Sequence, residues 1–174
     1  VTGVQTCALP ISGIATAEDS GVFHIFKANG QVREAVRTRD MRSLLGNIGL
    51  GHVRYATKGT ASSEEEAQPF YVNAPYGIVL VHNGNLTNTR ELTDELFSKD
   101  RRPLNTSSDT ELLVNVLANE LQTTISGLDL DPDQVFQAVE RVHERVEGSY
   151  AAIALIAGHG LLAFRDPFGI RPLI

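Results

Sequence analysis

Cysteine is the scarcest reactive residue in this chain. One cysteine, Cys7, among 174 residues cannot close an internal disulfide, and with five scattered histidines it cannot build a cysteine-rich zinc site. An excess of basic residues is also missing. The formal net charge of −6 leaves no basic patch of the kind that nucleic acid or an anionic membrane surface requires, so small-molecule chemistry is the better expectation. No apolar run approaches the ~20 residues of a membrane span, and the N-terminus lacks the charged start and apolar middle of a signal peptide. The cytoplasm is therefore the default compartment. No internal repeat or low-complexity tract interrupts the chain. Its 174 residues, 42% of them hydrophobic, suit one domain with a sizeable core.

Residues 1–11, VTGVQTCALPI, have neither helical nor strand periodicity and do not lead into the GIAT segment that follows. Reverse-translated, they resemble a common sequencing-library adapter read in frame, which sets them aside from fold reasoning and Cys7 with them. Residues 12–174 then form the domain.

Beyond the leader, Gly13–Ala17 and Val22–Lys27 read as a hairpin across the polar turn Glu18-Asp19-Ser20-Gly21. Thr38–Leu45 reads as a short helix. Ile48–Tyr55 reads as a strand running into the polar loop Ala56–Gln68, and loops that leave strands often carry chemistry. Gly77–His82 (GIVLVH) is a buried strand ending at Asn83-Gly84-Asn85. The spacing then predicts an amphipathic helix over Asn88–Ser98, with Leu92, Leu96 and Phe97 inward. Ser108 and Glu111 have capping-box spacing ahead of the apolar stripe Leu112, Leu113, Val116, Leu117 and Leu121. Asp131 and Pro132 open a helix to about Val146, with Val135, Phe136, Val139, Val142 and Val146 on one face. Ala151–Ile156 and Leu161–Phe164 form a second hairpin. Strands, then helices, then strands imply an α+β fold with antiparallel sheets rather than alternating βαβ units.

Three polar clusters fall at element ends: GHVRYAT (51–57), HNGNLTN (82–88) and SSDTE (107–111). Arg54 offers a planar fork for a carboxylate and Asp109 accepts from an ammonium, so together they suit a free α-amino acid. The Asn83 side-chain amide beside the Gly84 backbone N–H gives two donors that can converge on the oxygen of a tetrahedral intermediate.

With GHVRYATKG, QPF, HNGNLTN, SSDTE and FRDPFGIRPL in this order, residues 13–174 resemble the glutaminase half of the glutamine phosphoribosylpyrophosphate amidotransferase family. The resemblance implies an N-terminal-nucleophile (Ntn) hydrolase fold, a four-layer αββα sandwich of two antiparallel sheets, here lacking its first strand. It implies glutamine hydrolysis, with Arg54, Tyr55, Thr57 and Asp109 at glutamine-binding positions and Asn83 and Gly84 at the oxyanion hole. The ammonia would convert phosphoribosyl pyrophosphate to phosphoribosylamine in purine synthesis. A C-terminal phosphoribosyltransferase domain, absent here, would carry the magnesium chemistry, and the full-length protein would be a homo-oligomer. No cofactor is expected in residues 12–174, and no nucleic acid or membrane partner.

The family's nucleophile is a cysteine at the mature N-terminus, whose own α-amino group (~7.7–8.0) serves as base for the thiol (~8.5). Cys7 follows six residues and has a peptide nitrogen where that amine belongs, so the chain as written is expected to be inactive. Ala56 also stands where the family pattern has proline. Other readings attach to the same residues. Arg54 alone reads as a structural arginine paired with a buried acid, Asn83-Gly84 as a type I′ turn, and Asp109 as a first-turn helix charge. His52, His82, His143 and His159 read as structural or surface residues, and Phe164–Leu173 as a tight turn with Arg165 and Asp166 in structural pairs. Asp129, Asp131, Asp133 and Glu140 have EF-hand spacing, but Gln134 replaces the required glycine, which argues against calcium. The alternatives in function are another amidotransferase of the same nucleophile class, making glucosamine 6-phosphate or asparagine, and a non-catalytic glutamine-binding module. The Tyr55, Gln68-Pro69-Phe70 and Ile170-Arg171-Pro172 spellings favour the purine-pathway family.

Overall fold

The computed structural model describes residues 11–54, 66–125, 127 and 129–174; Cys7, Tyr55 and Thr57 lie outside the described residues. Two antiparallel sheets are stacked face to face. The first has the order β2-β1-β3, from β1 (Ile11–Ala17), β2 (Phe23–Asn29) and β3 (Ile48–Arg54). The second has the order β4-β5-β6-β7, from β4 (Phe70–Val72), β5 (Ile78–Leu86), β6 (Gly148–Ile156) and β7 (Gly160–Arg165). Helices α3 (Thr89–Ser98), α4 (Asp109–Thr124) and α5 (Pro132–Arg145) cover the far side of the second sheet. The short helices α1 (Val32–Ala35) and α2 (Thr38–Ser43) bury none of their residues. The fold is thus α+β, a sandwich of two antiparallel sheets with helices.

Strand β5 shows why the layers stack this way. Side chains alternate across a sheet, so Ile78 and Leu80 enter the core against the helices while Val79 and Val81 enter the core between the sheets. Both faces are buried, which explains the unbroken apolar spelling GIVLVH. Helix α4 is buried from Thr110 to Ala118 on every side, being enclosed by the second sheet and its neighbouring helices. Arg145, at the end of α5, ties the helices together through Glu120 of α4 at 2.5 Å, Asp100 at 2.8 Å and Glu95 of α3 at 3.6 Å.

Several expectations shift. Ile11, grouped with the leader, is a buried strand residue paired with Asn29 and Arg54. Phe97 and Phe136 are exposed, at 69% and 60%, rather than inward. Each follows a core residue (Leu96, Val135) and is rotated about 100° from it on a helix of 3.6 residues per turn, off the buried stripe. Strand β4 falls in the stretch after Gln68 to which the sequence reading assigns no element, because three residues carry no usable periodicity. Strand β5 does not end at His82; it continues through Asn83-Gly84-Asn85 to Leu86, paired with Ala151, Tyr150, Ser149 and Gly148. Among the described residues no helix is long and apolar enough to cross a membrane.

Candidate functional site

The C-terminal ends of β3 and β5 and the N-terminal end of α4 open onto one cleft of about 690 Å³. Arg54 from β3, Asn83 and Gly84 from β5 and Asp109 from α4 all line it, together with Glu66, Gln68, His82 and Arg171. Four of the six expected site residues are therefore neighbours; Tyr55 and Thr57 fall outside the described residues.

Arg54 lies 3.7 Å from Glu66, in a loose contact that leaves most of the guanidinium fork available. Asp109 is the first residue of α4, where unpaired N–H groups and the helix dipole favour a carboxylate. Its Oδ2 accepts from Leu86 N–H at 3.4 Å, and its Oδ1 lies 3.9 Å from His82 Nδ1. Ser108 caps α4 by accepting from Thr110 N–H at 3.3 Å, as its position suggests. The capping box does not form. Glu111 instead accepts from Asn105 N–H at 2.9 Å and from the Thr106 N–H and hydroxyl, both at 2.7 Å, while Ser108 N–H donates to Thr106 Oγ1 at 3.2 Å. The acid fixes the loop that delivers Asp109.

Asn83 and Gly84 are neither loop nor turn. Asn83 Oδ1 faces His52 Nε2 at 3.0 Å. With an amide oxygen facing it, His52 Nε2–H is the donor and Asn83 Oδ1 the acceptor, which leaves the amide NH₂ as the free end; burial lowers the His52 pKa. Gly84 adopts φ +141°, and a Cβ there would sit 2.0 Å from the Ser149 carbonyl oxygen. Only glycine permits that approach. Gly84 also stands opposite Tyr150, whose backbone N–H and C=O are both engaged by Asp166. In an antiparallel pair a residue's N–H and C=O point the same way, so Gly84 turns its N–H to the outer edge of β5, towards the cleft.

Other cleft residues escaped sequence reasoning. His52 and His82, read as structural or surface residues, both line the cleft. His82 is buried, contacts Thr110 Oγ1 at 3.1 Å through Nδ1, and has its pKa lowered by burial, with Asp109 opposing and His52, Arg171 and Arg54 reinforcing the shift. Arg171 reaches the cleft because Asp166 accepts the N–H groups of Ile170 at 2.9 Å and Arg171 at 3.1 Å. Burial pushes the Asp166 carboxyl up, but these backbone donors outweigh it and hold the pKa below its usual value. The expected pairing of Asp166 is thus with backbone groups. Among the described residues no cluster of three or more His, Cys, Asp or Glu could hold a metal ion.

A model of the glutamine amidotransferase domain family matches residues 52–174. The amidophosphoribosyltransferase of Haemophilus influenzae is 55% identical over 163 residues, covering 94% of this chain and 32% of that protein. That of Escherichia coli is 50% identical over 174 residues, covering 100% of this chain and 34% of that protein. Among solved structures, an allosteric regulatory enzyme of purine biosynthesis superposes with TM-score 0.74 at 27% identity, covering 95% of this chain and 33% of that one. The glutamine phosphoribosylpyrophosphate amidotransferase of B. subtilis, complexed with ADP and GMP, gives TM-score 0.71 at 26% identity, covering 97% and 34%. The chain spans about a third of the length of the curated relatives it matches.

Proposed function

The chain belongs to the glutamine amidotransferase domain family, and on that premise we propose that its cleft is the glutamine site of an amidophosphoribosyltransferase. Arg54 takes the α-carboxylate of glutamine, Asp109 takes the α-ammonium, and the Asn83 amide and Gly84 N–H receive the side-chain carbonyl oxygen as it becomes an oxyanion. The family resemblance adds Tyr55 and Thr57 to the glutamine-binding set. The observation that carries this reading is that Arg54, Asn83, Gly84 and Asp109, drawn from three separate elements, line one cleft.

Hydrolysis in this family uses an N-terminal cysteine whose α-amine is its base. A polypeptide beginning at Val1 has neither the thiol nor that amine in place, and Cys7 follows six residues. Such a chain binds glutamine without turning it over. In the whole protein the released ammonia goes to a C-terminal phosphoribosyltransferase domain, which forms phosphoribosylamine and holds the magnesium. Among the described residues the present cleft has only two acids, Glu66 and Asp109, one beside Arg54 and the other accepting from Leu86 N–H, which is not a donor set for a divalent cation.

Titration calorimetry with L-glutamine tests the reading. Arg54→Met and Asp109→Asn should each weaken binding by about tenfold or more, since each strands one charge of the ligand. Ammonia release should stay at background. Binding indifferent to both substitutions, or sustained ammonia release by the polypeptide beginning at Val1, refutes it.

A further inference from the structure

We infer that Gln68 is a positioning residue for the Asn83–Gly84 donor pair, acting as a one-residue substitute strand on the outer edge of β5. Strand β4 pairs with β5 from Val72↔Ile78 to Phe70↔Leu80, and there its backbone pairing stops. Extended further, the same register sets Gln68 opposite His82. The Gln68 side chain, not its backbone, completes that rung: Oε1 accepts His82 N–H at 2.6 Å, and Nε2 donates to His82 C=O at 3.0 Å. The reversed amide would set oxygen against carbonyl and nitrogen against N–H, so one orientation alone is compatible with both bonds.

Period-2 geometry turns the N–H groups of His82, Gly84 and Leu86 to the same edge. Gln68 occupies the first and Asp109 Oδ2 the third. Between them the Gly84 N–H has no partner among the described residues. Gln68 thus ends the ladder one rung short of Gly84 and holds the backbone immediately before Asn83. Its own backbone cannot withdraw, because β1 presses on it: a Cβ on Gly13 would lie 1.9 Å from the Gln68 carbonyl oxygen. Gln68 is itself buried.

That the Gly84 donor serves glutamine rests on the function proposed above, so the test separates the two. By NMR on the isotope-labelled chain, the His82 amide should be protected from hydrogen exchange and the Gly84 amide should exchange readily. Gln68→Ala should raise His82 exchange about tenfold or more while amides at Leu80 and Ile153 keep their protection. At saturating L-glutamine the Gly84 cross-peak should move in the unaltered chain and move less than half as far in Gln68→Ala. Gln68→Glu, which retains Oε1 but sets an oxygen against the His82 carbonyl, should behave like Gln68→Ala. The inference is overturned by a slowly exchanging Gly84 amide in the unaltered chain, which needs no variant to fold. It is equally overturned by loss of protection across all of β5 in step with His82. A Gly84 cross-peak unmoved by glutamine with the His82 pattern intact sinks the glutamine reading and leaves the strand-substitute role supported.

Discussion

Replacing Gly84 with alanine tests the geometry of the cleft wall at its tightest point. The backbone at Gly84 has φ +141°, and an added Cβ would lie 2.0 Å from the Ser149 carbonyl oxygen and 2.8 Å from Tyr150 Cα. Ordinary contact starts at 3.4 Å, so β5 and β6 must separate there by 3.4 less 2.0, or about 1.4 Å. A side chain forced into this region of φ costs about 1–3 kcal/mol. Pushing apart packed backbone costs about 1–3 kcal/mol more. The sum, about 2–6 kcal/mol, is a large share of the ~5–15 kcal/mol that holds a typical domain folded. At about 2–4 °C per kcal/mol for a chain of this size, the melting temperature should fall by roughly 4–24 °C.

Three other glycines calibrate that value. Gly148 faces the same strand end with φ +138° and a Cβ position 2.3 Å from the Asn85 carbonyl oxygen, so Gly148→Ala should cost as much as Gly84→Ala. Because both substitutions open one strand pair, the double variant should cost less than their sum. Gly158, at φ +72° with nothing within 4 Å, should lose only the conformational term, about 1–2 kcal/mol. Gly51, whose nearest neighbour is 3.8 Å away, should tolerate alanine or gain up to about 1 kcal/mol. Urea titration monitored by circular dichroism gives the order. If Gly84→Ala falls within about 1 kcal/mol of Gly51→Ala, the close strand approach does not exist, and with it goes the orientation assigned to the Gly84 N–H.

Two further outcomes follow from buried titratable groups. Burial lowers the pKa of His52, His82 and His143 from 6.5 in the folded chain. The unfolded chain therefore binds protons first, and stability should be full above that value and decline as pH falls through it, read as a lower urea midpoint at about pH 5.5 than at about pH 7.5. A midpoint that rises towards acid would reverse the sign. Glu111→Gln turns one of two oxygens that each accept a backbone N–H, Oε1 from Asn105 and Oε2 from Thr106, into a donor, and Glu111 is buried. Thermal unfolding should show a loss of about 1–3 kcal/mol, and a loss under about 0.5 kcal/mol would mean the 105–106 loop does not depend on this acid.

What the sequence made legible was governed by local periodicity. Helix α4 was readable because its apolar stripe repeats every three to four residues, and the apolar half of β5 because an unbroken run signals burial on both faces. Arg54, Asn83, Gly84 and Asp109 were readable as chemistry, since a fork, an acid and paired donors imply a ligand whatever the fold. The Gln68 rung was not readable. A side-chain amide that imitates a strand leaves no pattern in its own neighbourhood; it depends on a register set by Phe70, Leu80 and the end of β4. Asn83-Gly84 reads as the end of a strand for a similar reason. What keeps it in the sheet is β6, far along the chain, where Ala151 and Tyr150 pair with Asn83 and Gly84. The Ser108 and Glu111 spacing was real but its chemistry was diverted, because Asn105 and Thr106 offered the carboxylate four donors where a capping box offers one.

Charge in the cleft closes on the same ligand class from another direction. The chain as a whole is anionic at −6, which by itself disfavours a ligand carrying a carboxylate. The described lining of the cleft does not share that imbalance. Its arginines, Arg54 and Arg171, are matched by two acids, Glu66 and Asp109, and its histidines, His52 and His82, are held towards the neutral form by burial. A lining that is neutral in sum yet holds cation and anion apart suits a zwitterion, which brings both signs and no net charge. It does not suit a second carboxylate. Were the two histidines protonated, the lining would carry an excess of two positive charges and would favour a ligand with a second carboxylate, such as glutamate. Burial of His82 beneath Thr110, and of His52 against Asn83, therefore does more than fix hydrogen bonds. It keeps the cleft matched to an amino acid with an uncharged side chain, as the proposed glutamine site requires.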